Sequence, residues 1–407
     1  MNRKSIKQTS IREINLSSTL YCLKNNAPLS RADLAKFLDL SKASVSNIVN
    51  DLIEKELLFE VGLLITGSGN PAKLLEINPR AGDIIGLEIS YDFIRVVRCD
   101  FSGNIIWQKS ADIESLDSPD EILHRSLNLV VEARSIQRSL DTKLLGLGIS
   151  VSGLVDYEQG KVVSSSNTKL NNLSIKNFFS EKLDFEVFLE NNSNASALGE
   201  HFFGAAQDTN NFVFVSLSRV VRGGVFLNGE IYRGGHGYAG EIGHVPYSLQ
   251  GGKKCRCGNF GCWETECNEY SLIERMNSRV KINPKSLMNI NKKTSNEKSK
   301  LQTIINAADE NDVEAMDILI ETGTVIGVGV SSLLNIFDPE MVVLGGSVSY
   351  ASKFLIKGIK MSLEKHTHFE IRKHMNLVLS QLNADASVLG AVAMVAKDVF
   401  DSPSKYF

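Results

Sequence analysis

Three cysteines and a histidine stand close enough in the chain to share one metal ion. Cys255, Cys257 and Cys262 fall within eight residues, and His244 precedes Cys255 by eleven. Three thiolates and an imidazole make a closed tetrahedral set of the structural zinc type, with no position left open for activating water. The sequence therefore predicts one structural Zn2+ held by His244, Cys255, Cys257 and Cys262. Gly258 and Gly261 let the backbone turn tightly between the sulfurs. Cys267 follows as a spare thiol, while Cys22 and Cys99 lie in apolar contexts that predict burial.

Such a knuckle needs a scaffold. From Ile84 onward the pattern alternates strands with helices, which predicts α/β architecture, and 407 residues exceed what one ordinary core accommodates. With 43% hydrophobic and 22% charged residues, the balance is that of a soluble globular protein, not of a disordered or fibrous chain. Met1 to Ser18 is polar and basic and lacks the apolar core of a secretory signal. Apolar stretches such as Leu144 to Val155 are broken by Gly and Ser and fall short of the ~20 residues of a membrane helix. The expectation is a cytoplasmic chain with no membrane partner and reduced cysteines. The Asn/Lys/Ser-rich stretch from Lys281 to Lys300 reads as a solvated insertion.

The N-terminal end is a second kind of module. Residues 1–80 hold 11 Lys/Arg against 8 Asp/Glu, a net of +3 within a chain of net charge -3, so the basic end is the candidate for polyanion contact. One helical pattern covers Ile11 to Asn26. A second starts at Ser30 with Asp33 three residues on, a capping arrangement, and has Leu34, Phe37 and Leu38 as its apolar face. A third starts near Ser41 and buries Val45, Ile48, Val49, Leu52 and Ile53. Two short strands then flank the turn Thr66-Gly67-Ser68-Gly69-Asn70-Pro71. Three helices and a wing predict a winged helix-turn-helix over residues 1–80, whose reading helix would enter the DNA major groove. Candidate contacts to double-stranded operator DNA are Arg31, Ser41, Lys42, Ser44 and Asn47, with Asn70 and Lys73 from the wing. Two-fold operators match two-fold proteins, which predicts a homodimer or higher homo-oligomer.

The segment Gly234-Gly235-His236-Gly237-Tyr238-Ala239-Gly240-Glu241-Ile242-Gly243-His244, followed by the cysteine knuckle, resembles the ROK family of repressors, open reading frames and sugar kinases. Further matching stretches are Glu190-Asn191-Asn192-Ser193-Asn194-Ala195, Val342 to Gly346, and the terminal helix around Gly390-Ala391. The xylose repressors are the branch it looks like. The resemblance implies an actin-like, RNase H-like body over residues 81–407: a first lobe of about 81–190 plus a C-terminal helix at about 387–407, a second lobe of about 191–386, and a sugar cleft between them. It also implies sugar contacts at Gly153, Asn191, Asn192, Glu241, His244 and Glu264, the histidine using one ring nitrogen for zinc and the other for the sugar. Hydrogen-bonding side chains of these kinds suit a fan of hydroxyls.

Kinase chemistry is not expected. Where the family's kinases carry an Asp as general base, this chain has Asn192, an amide that takes up no proton. The two phosphate loops correspond to Glu88-Ile89-Ser90-Tyr91-Asp92 and Ser218-Arg219-Val220-Val221-Arg222, without the glycines that let backbone N–H groups close on phosphate. Arg219 and Arg222 could hold the phosphate of a sugar phosphate, or could be surface arginines. The resulting expectation is a repressor of carbohydrate-utilisation genes whose kinase-like body responds to a sugar or sugar phosphate. The rivals are an active sugar kinase with a fused DNA-binding domain and a regulator that senses a protein partner.

Overall fold

Ser30 starts the second helix by a reciprocal bond: its hydroxyl accepts the Asp33 N–H, and its own N–H donates to the Asp33 carboxylate. The Ser30 hydroxyl and N–H hold the Asp33 carboxyl below its ordinary range. The helices are α1 (Gln8–Asn26), α2 (Arg31–Phe37) and α3 (Lys42–Glu54), and the computed structural model describes residues 8–64, 72–114, 116–136, 142–165, 169–290 and 297–407. Leu16, Leu20, Leu23, Leu34, Val45, Ile48, Val49 and Leu52 are buried between the helices. Phe37, expected on this face, is 60% exposed. Each residue rotates the helix by about 100°, so a stripe that runs through Leu34 and Ala35 carries Phe37 off its edge. Ser30→Ala should cost the N-terminal module about 1 kcal/mol, seen as faster amide exchange in α2 with the metal content unchanged.

The wing is a three-stranded antiparallel sheet in the order β1-β3-β2, formed by β1 (Leu29–Ser30), β2 (Leu58–Leu64) and β3 (Ala72–Ile77). Its turn, including Asn70, lies outside the described residues.

Next come β4 (Asp83–Ile89), β5 (Phe93–Asp100), β6 (Ile105–Asp112), α4 (Pro119–Ser135) and β7 (Leu144–Val151). A small pair, β8 (Leu154–Asp156) with β9 (Lys161–Ser164), precedes α5 (Ile175–Ser180), β10 (Glu186–Asn191) and α6 (Asn192–Phe203). The main sheet runs β10-β7-β4-β5-β6, with β10, β7 and β4 parallel and β5 and β6 antiparallel. Every residue of β4 is buried. Buried Arg98 pairs with Asp83 at 2.8 Å and donates to the carbonyls of Ala133 and Ile136, closing the end of α4.

A second sheet follows, in the order β13-β12-β11-β14-β15. Its strands are β11 (Phe212–Leu217), β12 (Val221–Leu227), β13 (Glu230–Ile231), β14 (Met341–Gly345) and β15 (Leu377–Leu379). Around it lie α7 (Glu264–Cys267), α8 (Glu269–Ile282), α9 (Leu287–Ile290), α10 (Glu297–Asp309), α11 (Val313–Phe337), α12 (Ser352–His366) and α13 (Phe369–His374). By length and composition α11 could cross a membrane, yet 56% of its apolar window is buried inside the protein. Part of the presumed insertion is folded: the Ser286 hydroxyl and Leu287 N–H donate to Asp312, the cap of α11, and Met288 is fully buried. A polar composition did not reveal that a helix cap elsewhere would claim those groups.

The chain divides into two compact units, Met1–Ala195 with Ser387–Phe407, and Ser196–Ala386. The first therefore includes the winged helix, and the chain returns to it through α14 (Ala386–Asp401) and α15 (Pro403–Tyr406).

Candidate functional site

In the second unit, the donor atoms of His244, Cys255, Cys257 and Cys262 all lie within 4.8 Å of one another. Cys257 Sγ is 3.7 Å from Cys262 Sγ, and Cys255 Sγ is 3.6 Å from His244 Nδ1. A tetrahedral ion with ligand bonds of about 2.3 Å to sulfur and 2.0 Å to nitrogen needs edges of about 3.8 and 3.5 Å, so the set fits zinc. Backbone bonds shape the knuckle: the Cys255 N–H donates to Asn259 O at 2.7 Å and the Gly258 N–H to Cys255 O at 3.0 Å. At Gly261, φ is +72° and a Cβ would stand 1.9 Å from Ser248 O, so only glycine passes there.

Burial pushes the Cys255 thiol up. It opposes ionisation of Cys257 too, but hydrogen bonds from the Asn259 backbone and the neighbouring thiols outweigh it and lower that pKa. A divalent cation would draw the whole set toward thiolates. Cys267 is buried and donates to Trp263 O, outside the cluster. Of the two cysteines expected in the core, Cys99 is buried and Cys22 half-buried.

The other face of the histidine meets a carboxylate. Its Nε2 lies 3.4 Å from Glu241, which itself lies 3.7 Å from Arg222. The hydrogen bond to Glu241 raises the His244 pKa against the effect of burial. Burial likewise opposes the Glu241 charge, but His244 and Arg222 prevail and lower its pKa. A ligand histidine oriented by a carboxylate on its second nitrogen is a recurrent device at metal sites. It is also the nitrogen expected to face a sugar, and sequence reading does not identify Arg222 as the partner of Glu241. Glu264 is 3% exposed; one oxygen accepts the Val221 N–H at 3.1 Å and the other the Cys255 thiol at 3.3 Å. It thus joins the knuckle to the start of β12. Arg219 lies 3.5 Å from the buried Glu269.

In the first unit, Asn191 ends β10 and caps α6, its Oδ1 accepting the N–H groups of Ser193 and Asn194 at 3.0 Å. Its side-chain NH2 is then the group available to donate to a ligand. Asn192 donates to Ser152 Oγ at 3.2 Å, and Ser152 O accepts from the Ser165 hydroxyl. Ser152 is therefore a junction that sequence reading passed over, next to Gly153 in the turn after β7. Residues Ser90 to Asp92 form the turn between β4 and β5, and Ser218 to Val220 the turn between β11 and β12.

Along α3, Ser41 caps the helix, and Ser41, Lys42, Ser44 and Asn47 are all exposed. Arg31 donates to Asn50 Oδ1 at 2.9 Å and so braces α2 against α3, while Lys73 pairs with Glu60.

The pattern of the ROK family matches residues 84–398, and that of the MarR family residues 17–61. The chain is 32% identical over 394 residues to the xylose repressor of Bacillus spizizenii, covering 97% of this chain and 98% of that one. It is 26% identical over 388 residues to the DNA-binding transcriptional dual regulator NagC of Escherichia coli, covering 95% and 93%. Among solved structures, a ROK family transcriptional regulator homologous to the E. coli Mlc protein superposes with a TM-score of 0.82 at 26% identity, covering 96% and 97%. A ROK family glucokinase from Streptomyces griseus, in complex with glucose and AMPPNP, has a TM-score of 0.68 at 25% identity and covers 77% of this chain and 99% of its own. The N-terminal helix-turn-helix and the kinase-type α/β body are thus those of known regulators, and the chain belongs to the ROK family.

Proposed function

We propose that this chain is a sugar-responsive repressor that binds operator DNA through its winged helix and a sugar or sugar phosphate through its ROK body. One observation carries the reading: a DNA-reading module and a ROK body share one chain, which aligns almost end to end with a xylose repressor. Ser41, Lys42, Ser44 and Asn47 would face bases and phosphates. Arg31 and Lys73 would support them, having partners within the module. Gly153, Asn191, Asn192, Glu241, His244 and Glu264 would contact the sugar. Zinc on His244, Cys255, Cys257 and Cys262 would be structural, fixing the distance from His244 to Glu264. The working form would be a cytoplasmic homodimer or higher homo-oligomer.

A panel of D-xylose, D-glucose, N-acetyl-D-glucosamine and their phosphate monoesters, screened by thermal shift, tests the reading. A ligand that binds only the folded chain stabilises it by about 2.7 kcal/mol at 100 times its Kd. If no member of the panel raises Tm and none alters DNA binding, the sugar-sensing reading fails in favour of a protein-sensing regulator.

The body would also be inactive as a kinase, because Asn192 cannot serve as a base and the turns at Ser90 to Asp92 and Ser218 to Val220 lack phosphate-binding glycines. With ATP, magnesium and the same sugars, turnover should stay far below the ~1 to 100 s⁻¹ of working kinases. Turnover within that range would establish the fused-kinase reading instead.

A further inference from the structure

Helix α14 touches the sheet of the first unit backbone to backbone. A Cβ on Gly148 of β7 would stand 1.8 Å from Ala391 O, one on Gly86 of β4 would stand 2.7 Å from Val388 O, and one on Gly390 would stand 1.8 Å from Ala195 O in α6. In each case the nearest group is a backbone carbonyl, joined at Gly86 by the side chain of Val392. Close-packed groups transmit displacement instead of absorbing it, so α14 must move together with β4, β7 and the start of α6.

Its two ends lie at different places. At the N-terminal end the Ser387 hydroxyl is 2.9 Å from the Ser150 hydroxyl, two residues before Ser152, the partner of Asn192. Thirteen residues on, at Phe400, about 20 Å along a helix, the other end grips the winged helix. The Phe400 ring lies 5.2 Å from Tyr21 of α1, the Tyr21 hydroxyl donates to Asp401 at 2.8 Å, and the Ser404 N–H donates to Glu13 at 3.0 Å. Lys55, the residue that ends reading helix α3, donates to Phe407 O at 2.8 Å. The last segment is anchored in turn to the body, where Lys143 bonds to Tyr406 O and Phe400 stacks on Phe101.

We infer that α14 and the segment Ser402–Phe407 form a positioning element that carries ligand binding near Asn192 and Ser152 to the reading helix. Tyr21, Phe400, Asp401 and Lys55 are its positioning residues at the DNA end. The inference rests on the sugar-responsive reading above. Coupling between sites needs a physical element whose placement both sites bias, and within one unit α14 touches Ser150, beside Ser152, at one end and Tyr21 of α1 at the other.

The test compares the full chain with a form lacking residues 402–407, with Tyr21→Ala, and with Tyr21→Phe, which keeps the ring and loses only the hydroxyl bond. Each is titrated with the duplex that the intact chain selects from a random-sequence pool, with and without each sugar of the panel, and sugar affinity is measured calorimetrically without DNA. Amide exchange of α1 and α3 is followed in the same samples. For the intact chain the sugar should change DNA affinity by ~5- to 150-fold and alter exchange in α1 and α3. In the shortened form and in Tyr21→Ala that ratio should fall to about twofold or less, and the exchange response should vanish while sugar affinity is kept. Tyr21→Phe should retain most of the response. If DNA affinity drops in the variants but the sugar-dependent ratio and the exchange response persist, the element is merely structural and the inference is overturned. An intact chain that binds no sugar of the panel overturns this inference together with the reading beneath it, whereas a response that survives shortening overturns the inference alone.

Discussion

Cys257→Ser should reduce bound zinc from about one ion per chain to almost none and abolish sugar binding. Cys257 is exposed at the tip of the knuckle, so exchanging sulfur for oxygen there opens no cavity and has little packing cost. Any large effect must come through the metal, since apparent binding free energies of structural zinc are about 10–16 kcal/mol near neutral pH. Losing one of four ligands removes much of that, and with it the placement of His244, Glu241 and Glu264. Elemental analysis of chelator-washed protein, paired with calorimetric titration by the sugar of the panel that raises Tm, measures both consequences. Cys267→Ser is the control, because its buried thiol lies outside the cluster; Tm should fall while zinc stays. A Cys257→Ser chain with full zinc and full sugar affinity would refute the metal assignment.

Glu264→Gln should separate the sugar from the metal. The carboxylate is buried beside the knuckle and holds the Val221 N–H; glutamine keeps its shape and one oxygen but loses the charge. Hydrogen bonds to a charged group contribute about 1.5–3 kcal/mol, so loss of the charged acceptor should weaken sugar binding by about 10- to 150-fold. Zinc content should be unchanged, and so should DNA affinity measured without sugar. Lys42→Ala should show the reverse pattern, with weaker DNA binding and a smaller dependence on salt but an intact sugar site. Unchanged sugar affinity in Glu264→Gln would remove this residue from the site and limit it to holding the turn before β12.

The features legible from residues alone are those governed by short separations along the chain. The capping box of Ser30 and Asp33 spans three residues, and the buried face of α3 repeats at three and four, so local geometry settles both. Cys255, Cys257 and Cys262 converge because glycine turns bring near neighbours together, and His244 reaches them over only eleven residues. The cap formed by Asn191 was equally local and could have been found from an Asn two and three residues before helical N–H groups.

Other features required distant segments to be placed in space. Phe37 fits an apolar spacing, yet which side of a seven-residue helix is covered depends on where α1 and α3 lie. His244 is legible as a ligand residue, but that its second nitrogen also faces a carboxylate depends on the turn that orients Glu241 and the strand that carries Arg222. The grip of α14 on the winged helix joins Tyr21 to Asp401 across 380 positions. No periodicity or motif encodes such a contact, because it arises only when a sheet, the helix packed on its glycines and the module beyond are assembled. Composition, caps and metal spacing thus determined the kinds of parts and the chemistry of the knuckle, whereas tertiary packing decided which polar groups are already engaged and what connects the parts, since those depend on through-space distance and not on chain separation.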